Sequence, residues 1–172
     1  MKVFIGYVSL SGNTEKMAII MKNRLAAAGC KVYMERLDTV EVDTLKEYDL
    51  AFIGLYTWNK DEVPYEAKEF YEEIEQIHPP NVKVAYFGSG NLNDENPCAA
   101  IHILSEKMKE RGFQVYDSIL KVHQEPTIYD QVKKCEEFAD HVLIWGRKKR
   151  KWRFLSLNGM LLFPKYDGSA YL

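Results

Sequence analysis

Residues 2–29 read KVFIGYVSLSGNTEKMAIIMKNRLAAAG and contain, in order, an apolar run, a polar loop and a helical pattern. The apolar run is typical of a buried strand. After the loop, Met17, Met21 and Leu25 recur at the spacing of one helix face, and Gly29 follows as a helix C-cap. The stretch therefore predicts a strand and a helix that are joined by a loop rich in hydroxyl side chains.

The alternation of strands and helices continues to residue 146. Apolar runs predict four more strands, and amphipathic runs predict three more helices. This order implies a parallel sheet with right-handed crossovers and helices on both faces. We expect a three-layer α/β sandwich with a five-stranded parallel sheet of order 2-1-3-4-5, in which ligands bind at the carboxyl ends of the strands. The further strands are predicted at residues 31–36, 49–56, 82–87 and 113–120, and the further helices at residues 64–77, 97–111 and 128–145.

The composition argues against several classes of protein. The formal charge of −2 is unevenly spread, because residues 1–146 carry −8 and residues 147–172 carry +6. An acidic domain argues against nucleic-acid binding, which needs Lys and Arg to neutralise phosphates. No stretch approaches the ~20 apolar residues of a membrane span. Three scattered cysteines and four isolated histidines lack the spacing of metal ligands or of a disulfide framework, so we expect a cytoplasmic protein without a metal site.

The loop after the first strand is chemically suited to a phosphate. The hydroxyls of Ser9, Ser11 and Thr14 and the amide of Asn13 can converge on one anion, and Gly12 lets the backbone turn toward it. The positive end of the following helix favours the same anion. The lysine of a nucleoside-triphosphate loop is missing, so a single phosphate fits better. The alternative is a plain polar turn in which Asn13 or Thr14 caps the helix.

The S-x-S-G-N-T loop resembles the phosphate loop of the flavodoxin family, [ST]-x-[ST]-G-N-T, at every specified position. The resemblance extends over residues 1–146, and the uninterrupted fifth strand resembles the short-chain class. It implies a flavodoxin-like fold, non-covalently bound FMN, and electron transfer without a catalytic residue of the protein's own. The loop residues expected around the FMN phosphate are Ser9, Leu10, Ser11, Gly12, Asn13 and Thr14.

By the same resemblance, the loops after the third and fourth strands hold the flavin ring. Trp58 resembles the aromatic residue on one flavin face, and Asn59 the residue whose peptide turns over on reduction. For Trp58 the alternative is packing over its own loop. The family usually has a Tyr before Cys98, which this chain lacks, so we expect a more open outer flavin face; Cys98 itself is expected to serve packing. The candidate residues in these loops are Thr57, Trp58, Asn59, Lys60, Ser89, Gly90, Asn91 and Cys98.

The resemblance further implies a low-potential one-electron carrier that shuttles between a flavodoxin reductase and an acceptor protein. A run of acidic residues could steer a basic partner. Two alternatives remain open: an FMN enzyme of this fold, such as a quinone reductase or a ribonucleotide-reductase activating flavoprotein, and an interaction module that has lost its flavin. We expect a monomer that contacts neither nucleic acid nor membrane. The acidic residues are Glu66, Glu69, Glu72, Glu73 and Glu75.

Residues 147–172 form a basic and aromatic tail beyond the predicted domain of residues 1–146. Its first seven residues, RKKRKWR, are followed by two apolar runs on either side of Asn158-Gly159, which predicts a β-hairpin. The basic run could complement the negative end of the preceding helix dipole, or it could dock an acidic partner. The tail could also contact a second copy of the chain or cover the flavin. The sequence does not choose among these roles, although mobile C-terminal segments favour an open flavin face.

Overall fold

The computed structural model describes residues 1–57, 62–90, 98–123, 129–148, 156–157 and 160–161. Strands and helices alternate along the chain as the sequence predicts. The strands are β1 (Lys2–Tyr7), β2 (Lys31–Arg36), β3 (Leu50–Gly54), β4 (Lys83–Gly90) and β5 (Gln114–His123). The helices are α1 (Asn13–Ala27), α2 (Lys68–Glu73), α3 (Ala99–Glu110) and α4 (Tyr129–Arg147), with short 3₁₀ helices at Leu37–Thr39, Val42–Glu47 and Tyr65–Ala67.

The five strands form one parallel sheet of order β2-β1-β3-β4-β5, which confirms the predicted α/β fold and strand order. In the central register, Leu50 of β3 pairs with Val3 of β1 and with Lys83 of β4. All strands run the same way, so the sheet has an amino edge, where they begin, and a carboxyl edge, where they end. The loops that follow β1, β3 and β4 therefore meet at the carboxyl edge.

Two apolar layers enclose the sheet, one on each face. On one face, α1 and α4 pack against alternate residues of the central strands, including Phe52 and Phe87. On the other face, α2 and α3 pack against the intervening residues, including Phe4 and Tyr86. Every residue of β3 is buried, because this strand lies in the middle of the sheet and is covered on both faces.

The helix predicted at residues 64–77 is wrong in its bounds. The chain there forms a 3₁₀ turn, Tyr65–Ala67, and then α2, which ends at Glu73. Beyond this point the backbone bonds tighten to the i, i+3 pattern, as in the bond from Gln76 N to Glu73 O at 2.9 Å. The apolar residues of this segment, such as Phe70 and Ile74, are buried nonetheless. The amphipathic pattern therefore predicts correctly which residues are buried, but it overestimates the length of the helix.

The last helix brings the chain to the amino edge of the sheet. The ammonium group of Lys83, the first residue of β4, donates to the backbone carbonyls of Trp145, Gly146 and Lys148 at 2.9, 3.2 and 2.6 Å. The Arg147 guanidinium donates to the carbonyl of Ala28, just beyond α1, at 3.3 Å. These cations satisfy carbonyl groups at two helix ends and hold the end of α4 at the amino edge of the sheet.

Two further short strands, Ser156–Leu157 and Met160–Leu161, pair antiparallel. The two residues between them, and the rest of the tail, lie outside the described residues. Within the described ranges, none of the helices combines the length and the apolar composition needed to span a bilayer.

Candidate functional site

The carboxyl edge brings together the three loops that the sequence analysis selects. Backbone pairing continues past the strand ends, with Val8 N donating to Gly54 O at 2.9 Å and Leu55 N donating to Phe87 O at 3.2 Å. The segments that follow β1 and β3 are therefore held beside the last residues of β4. Among the candidate residues, those at positions 9–14, 57, 89, 90 and 98 are described, whereas Trp58, Asn59, Lys60 and Asn91 lie outside the described residues.

The start of α1 is shaped to receive an anion. Gly12 is the N-cap residue and has φ of 83°, a left-handed conformation that favours glycine. Gly12 occupies the cap position and no side chain of the described residues bonds to this helix end, so the alternative in which Asn13 or Thr14 serves as an ordinary cap is wrong. The first backbone N–H groups of a helix have no partner within the helix. Those of α1 consequently remain available at the positive end of the helix dipole.

Two buried hydroxyl groups at this edge have no hydrogen-bond partner in the described part of the chain. They are Ser9 Oγ, directly after the β1 segment, and Thr57 Oγ1, beyond β3. A buried polar group without a partner costs about 1–3 kcal/mol, so such groups are rare unless a ligand or water satisfies them. A third such atom, Gln131 Oε1, lies in the first turn of α4. The serine and threonine hydroxyls are both residues that the sequence selects for a phosphorylated cofactor.

A hydroxyl pair connects the phosphate-loop segment to the end of β4. Thr14 Oγ1 and Ser89 Oγ lie 3.2 Å apart, and either can donate. Both side chains are buried, at 0% and 6% exposure. Gly90 follows in the same segment, and an added Cβ there would lie 3.6 Å from Cys98 Sγ.

Cys98 is fully buried and is the N-cap residue of α3, where it has φ of 65°. Burial raises the pKa of its thiol, which favours the protonated form. The side chain belongs to the apolar core on the α2 and α3 face. These observations agree with a packing residue.

A cavity of about 320 Å³ opens beside the segment that follows β3. Tyr56 lines it, and its hydroxyl donates to Glu66 Oε2 at 3.1 Å. Burial and this hydrogen bond raise the pKa of Tyr56. Apart from Leu10, none of the lining residues is among those that the sequence selects as contacts of the cofactor, and the signal for them is their position just beyond a buried strand. The cavity is lined by Leu10, Tyr56, Glu62, Val63, Pro64, Tyr65 and Lys68.

Sequence comparison identifies the family. Residues 5–138 match the sequence model of the family described as Flavodoxin. The chain belongs to the flavodoxin family. This flavodoxin is 35% identical to "Probable flavodoxin 1" of Bacillus subtilis (strain 168) over 145 residues, which cover 84% of this chain and 92% of the relative. It is 30% identical to the flavodoxin of Nitratidesulfovibrio vulgaris (strain Miyazaki F) over 134 residues, 76% of this chain and 90% of the relative.

The fold is similar to that of solved flavodoxins. Oxidised Flavodoxin 2 from Bacillus cereus superposes with a TM-score of 0.80 at 35% identity, over 84% of this chain and 99% of that chain. Oxidised Flavodoxin 1 from the same species has a TM-score of 0.78 at 30% identity, over 84% and 98%. Almost the whole of each relative is thus matched, while part of this chain extends beyond the match.

Membership of this family makes the protein an FMN-binding electron carrier and not an enzyme. The alternative of an FMN enzyme with the same fold is not favoured by these relatives. The residues present fit a phosphorylated cofactor, because the carboxyl edge offers a helix N-terminus and two buried hydroxyls that no described residue caps or bonds. The described residues contain no group of three or more His, Cys, Asp or Glu side chains that could hold a metal ion.

Proposed function

We propose that this flavodoxin carries single electrons at low potential between a reductase and an acceptor protein, with FMN held by the loops at the carboxyl edge. The phosphate lies at the start of α1, among residues 9–14. The ring lies between the segment of Thr57, Trp58, Asn59 and Lys60 and the segment of Ser89, Gly90, Asn91 and Cys98. The observation that carries this assignment is a pair of buried hydroxyls, Ser9 Oγ and Thr57 Oγ1, for which the described residues offer no hydrogen-bond partner.

FMN supplies the redox chemistry, and the chain binds the cofactor and sets its electrostatic surroundings. Glu62 lines the cavity beside the proposed ring site, and Glu66 is held there by the Tyr56 hydroxyl at 3.1 Å. Negative carboxylates near the ring oppose any further negative charge on it, and this opposition grows where water is excluded. The acidic side chains therefore support a low potential for the last electron added.

The acidic segment around α2 also supports an encounter with a basic partner. Several of its carboxylates have internal partners: Glu73 accepts from Val42 N at 2.8 Å, and Glu75 pairs with Lys107 at 2.9 Å. These bonds fix the charges in place without neutralising the segment as a whole. A fixed negative field steers a basic partner into a fast and salt-sensitive encounter.

The remaining assignments concern the tail and the location of the protein. We assign residues 1–146 to the FMN domain and residues 147–172 to an appended tail. The contacts of Lys83 and Arg147 hold the end of α4 at the amino edge, opposite the proposed FMN site, and this position supports an outer flavin face that the tail leaves open. The three free cysteines, all buried, support a cytoplasmic location.

Anaerobic spectroelectrochemistry of the FMN-loaded full-length protein tests this function. The second one-electron midpoint potential should lie below that of free FMN, and Glu66→Gln should raise it by on the order of tens of mV. Glu137→Gln, a change at an exposed carboxylate on α4 that pairs with Lys133, serves as the matched control and should leave the potential unchanged. Sustained turnover of a quinone with NAD(P)H, without an added reductase, would contradict the carrier function.

A further inference from the structure

Three serine or threonine residues are buried as whole residues in the described part of the chain, and two of them are bonded to each other. Thr14 and Ser89 are 75 positions apart in sequence and join their hydroxyls at 3.2 Å, while the third, Ser105, lies on α3. Burying a hydroxyl is costly unless it is hydrogen-bonded, so the two hydroxyls depend on each other. The pair is therefore a specific link between α1 and β4.

The link lies at one end of an otherwise apolar interface. Thr14 heads the buried face of α1, which continues with Met17, Ala18 and Met21 at helical spacing. Ser89 ends the column of β4 side chains that faces α1, after Ala85 and Phe87. Apolar contacts have no preferred direction, whereas a hydrogen bond does. The hydroxyl pair therefore fixes the first turn of α1 relative to the end of β4.

The two elements that it fixes carry the two halves of the proposed cofactor site. The first turn of α1 presents its backbone N–H groups to the phosphate, and the end of β4 leads into a loop beside the ring. A ligand that spans two subsites binds more tightly when their spacing is set before it arrives. We propose that Ser89 is a positioning residue that acts through Thr14 to hold the phosphate subsite at the distance that FMN requires. This inference rests on the phosphate assignment made above.

Titration of the full-length apoprotein with FMN and with riboflavin tests the proposal, because riboflavin occupies only the ring subsite. Ser89→Ala should weaken FMN binding about fivefold, which corresponds to about 1 kcal/mol for one hydrogen bond. It should change riboflavin binding by less than about twofold. Thr14→Val removes the same link together with a hydroxyl that is expected to reach the phosphate, so it should weaken FMN binding at least as much, and the double variant should be no weaker than Thr14→Val alone.

Two controls separate positioning from a general loss of structure. Thr14→Ser, the conservative variant, restores the hydroxyl that Thr14→Val removes and should recover most of the preference for FMN over riboflavin that Thr14→Val loses. Ser105→Ala removes a buried hydroxyl on the other face of the sheet and should leave both affinities unchanged. Circular dichroism melts of each variant establish that it is folded before titration.

Three outcomes overturn the inference: Ser89→Ala leaves FMN binding unchanged, it weakens FMN and riboflavin equally, or the effects of the two single changes add. If the wild-type protein binds FMN and riboflavin alike, the phosphate assignment itself fails, and this inference fails with it. If the wild-type protein prefers FMN but Ser89→Ala keeps that preference, only the positioning role is lost.

Discussion

Thr57→Val should raise the stability of the flavin-free protein and lower its affinity for FMN. The Thr57 hydroxyl is buried without a partner in the described part of the chain, and an unsatisfied buried group costs about 1–3 kcal/mol. Valine has nearly the same shape without the polar atom, so it should stabilise the apoprotein by about 1 kcal/mol. For a domain of this size, 1 kcal/mol corresponds to a rise in Tm of roughly 2–4 °C.

In the FMN complex the same change removes a hydrogen bond to the cofactor. A typical net value of about 0.5–1.5 kcal/mol predicts FMN binding that is weaker by roughly twofold to tenfold. The assays are a thermal melt of the flavin-free protein and a titration with FMN. Thr39→Val is the control, since the Thr39 hydroxyl already donates to Arg36 O at 2.8 Å and its loss should stabilise nothing. A lower apoprotein Tm for Thr57→Val, or unchanged FMN affinity, would show that the Thr57 hydroxyl is not held in reserve for the cofactor.

Three other changes probe the body and the tail. Lys83→Met leaves three carbonyls at the end of α4 without their cation. It should lower the free energy of unfolding by about 1–3 kcal/mol, which a thermal melt detects as a lower Tm. Truncation after Lys148 should leave FMN affinity within about twofold in a fluorescence titration, whereas a large loss would indicate a flap over the flavin. Arg24 lowers the pKa of Asp140 on α4, so this pair stabilises the fold above the ordinary Asp pKa of about 3.9 and stops doing so as pH falls through the lowered value. Arg24→Gln should therefore lower Tm at pH ~7, and its difference from the wild-type protein should shrink as pH falls below ~3.9.

The fold was predictable because local patterns and topology agree. An apolar run, a loop of hydroxyl residues and an apolar helix face specify the first βα unit. Because strand and helix then alternate along the chain, only a few strand orders are possible for the sheet. The ends of the helices and strands were less predictable, because the helix or strand propensity of a residue does not determine where tertiary contacts end the element. Residues 64–77 have the pattern of one long helix, yet the helix ends at Glu73, whose carboxylate bonds to Val42 N on another element.

The site was predictable where its residues are adjacent in sequence and unpredictable where distant residues meet. Gly12 and the loop hydroxyls form one continuous motif, so the sequence alone predicts that they bind a phosphate together. The pairing of Thr14 with Ser89 arises only when α1 packs on β4. The cation of Lys83 at the end of α4 likewise depends on a contact between residues 62 positions apart. A pattern of neighbouring residues cannot predict contacts between residues that are so far apart in sequence.

The most direct test of the account is calorimetric titration of the flavin-free protein with FMN and, separately, with riboflavin. The phosphate loop can contribute only when the phosphate is present, and a hydrogen bond to a charged group is worth about 1.5–3 kcal/mol. Two such bonds, together with the uncapped N-terminus of α1, predict that FMN binds at least ~100-fold more tightly than riboflavin. Comparable affinities for the two flavins would contradict the claim that this edge of the sheet is built around the FMN phosphate.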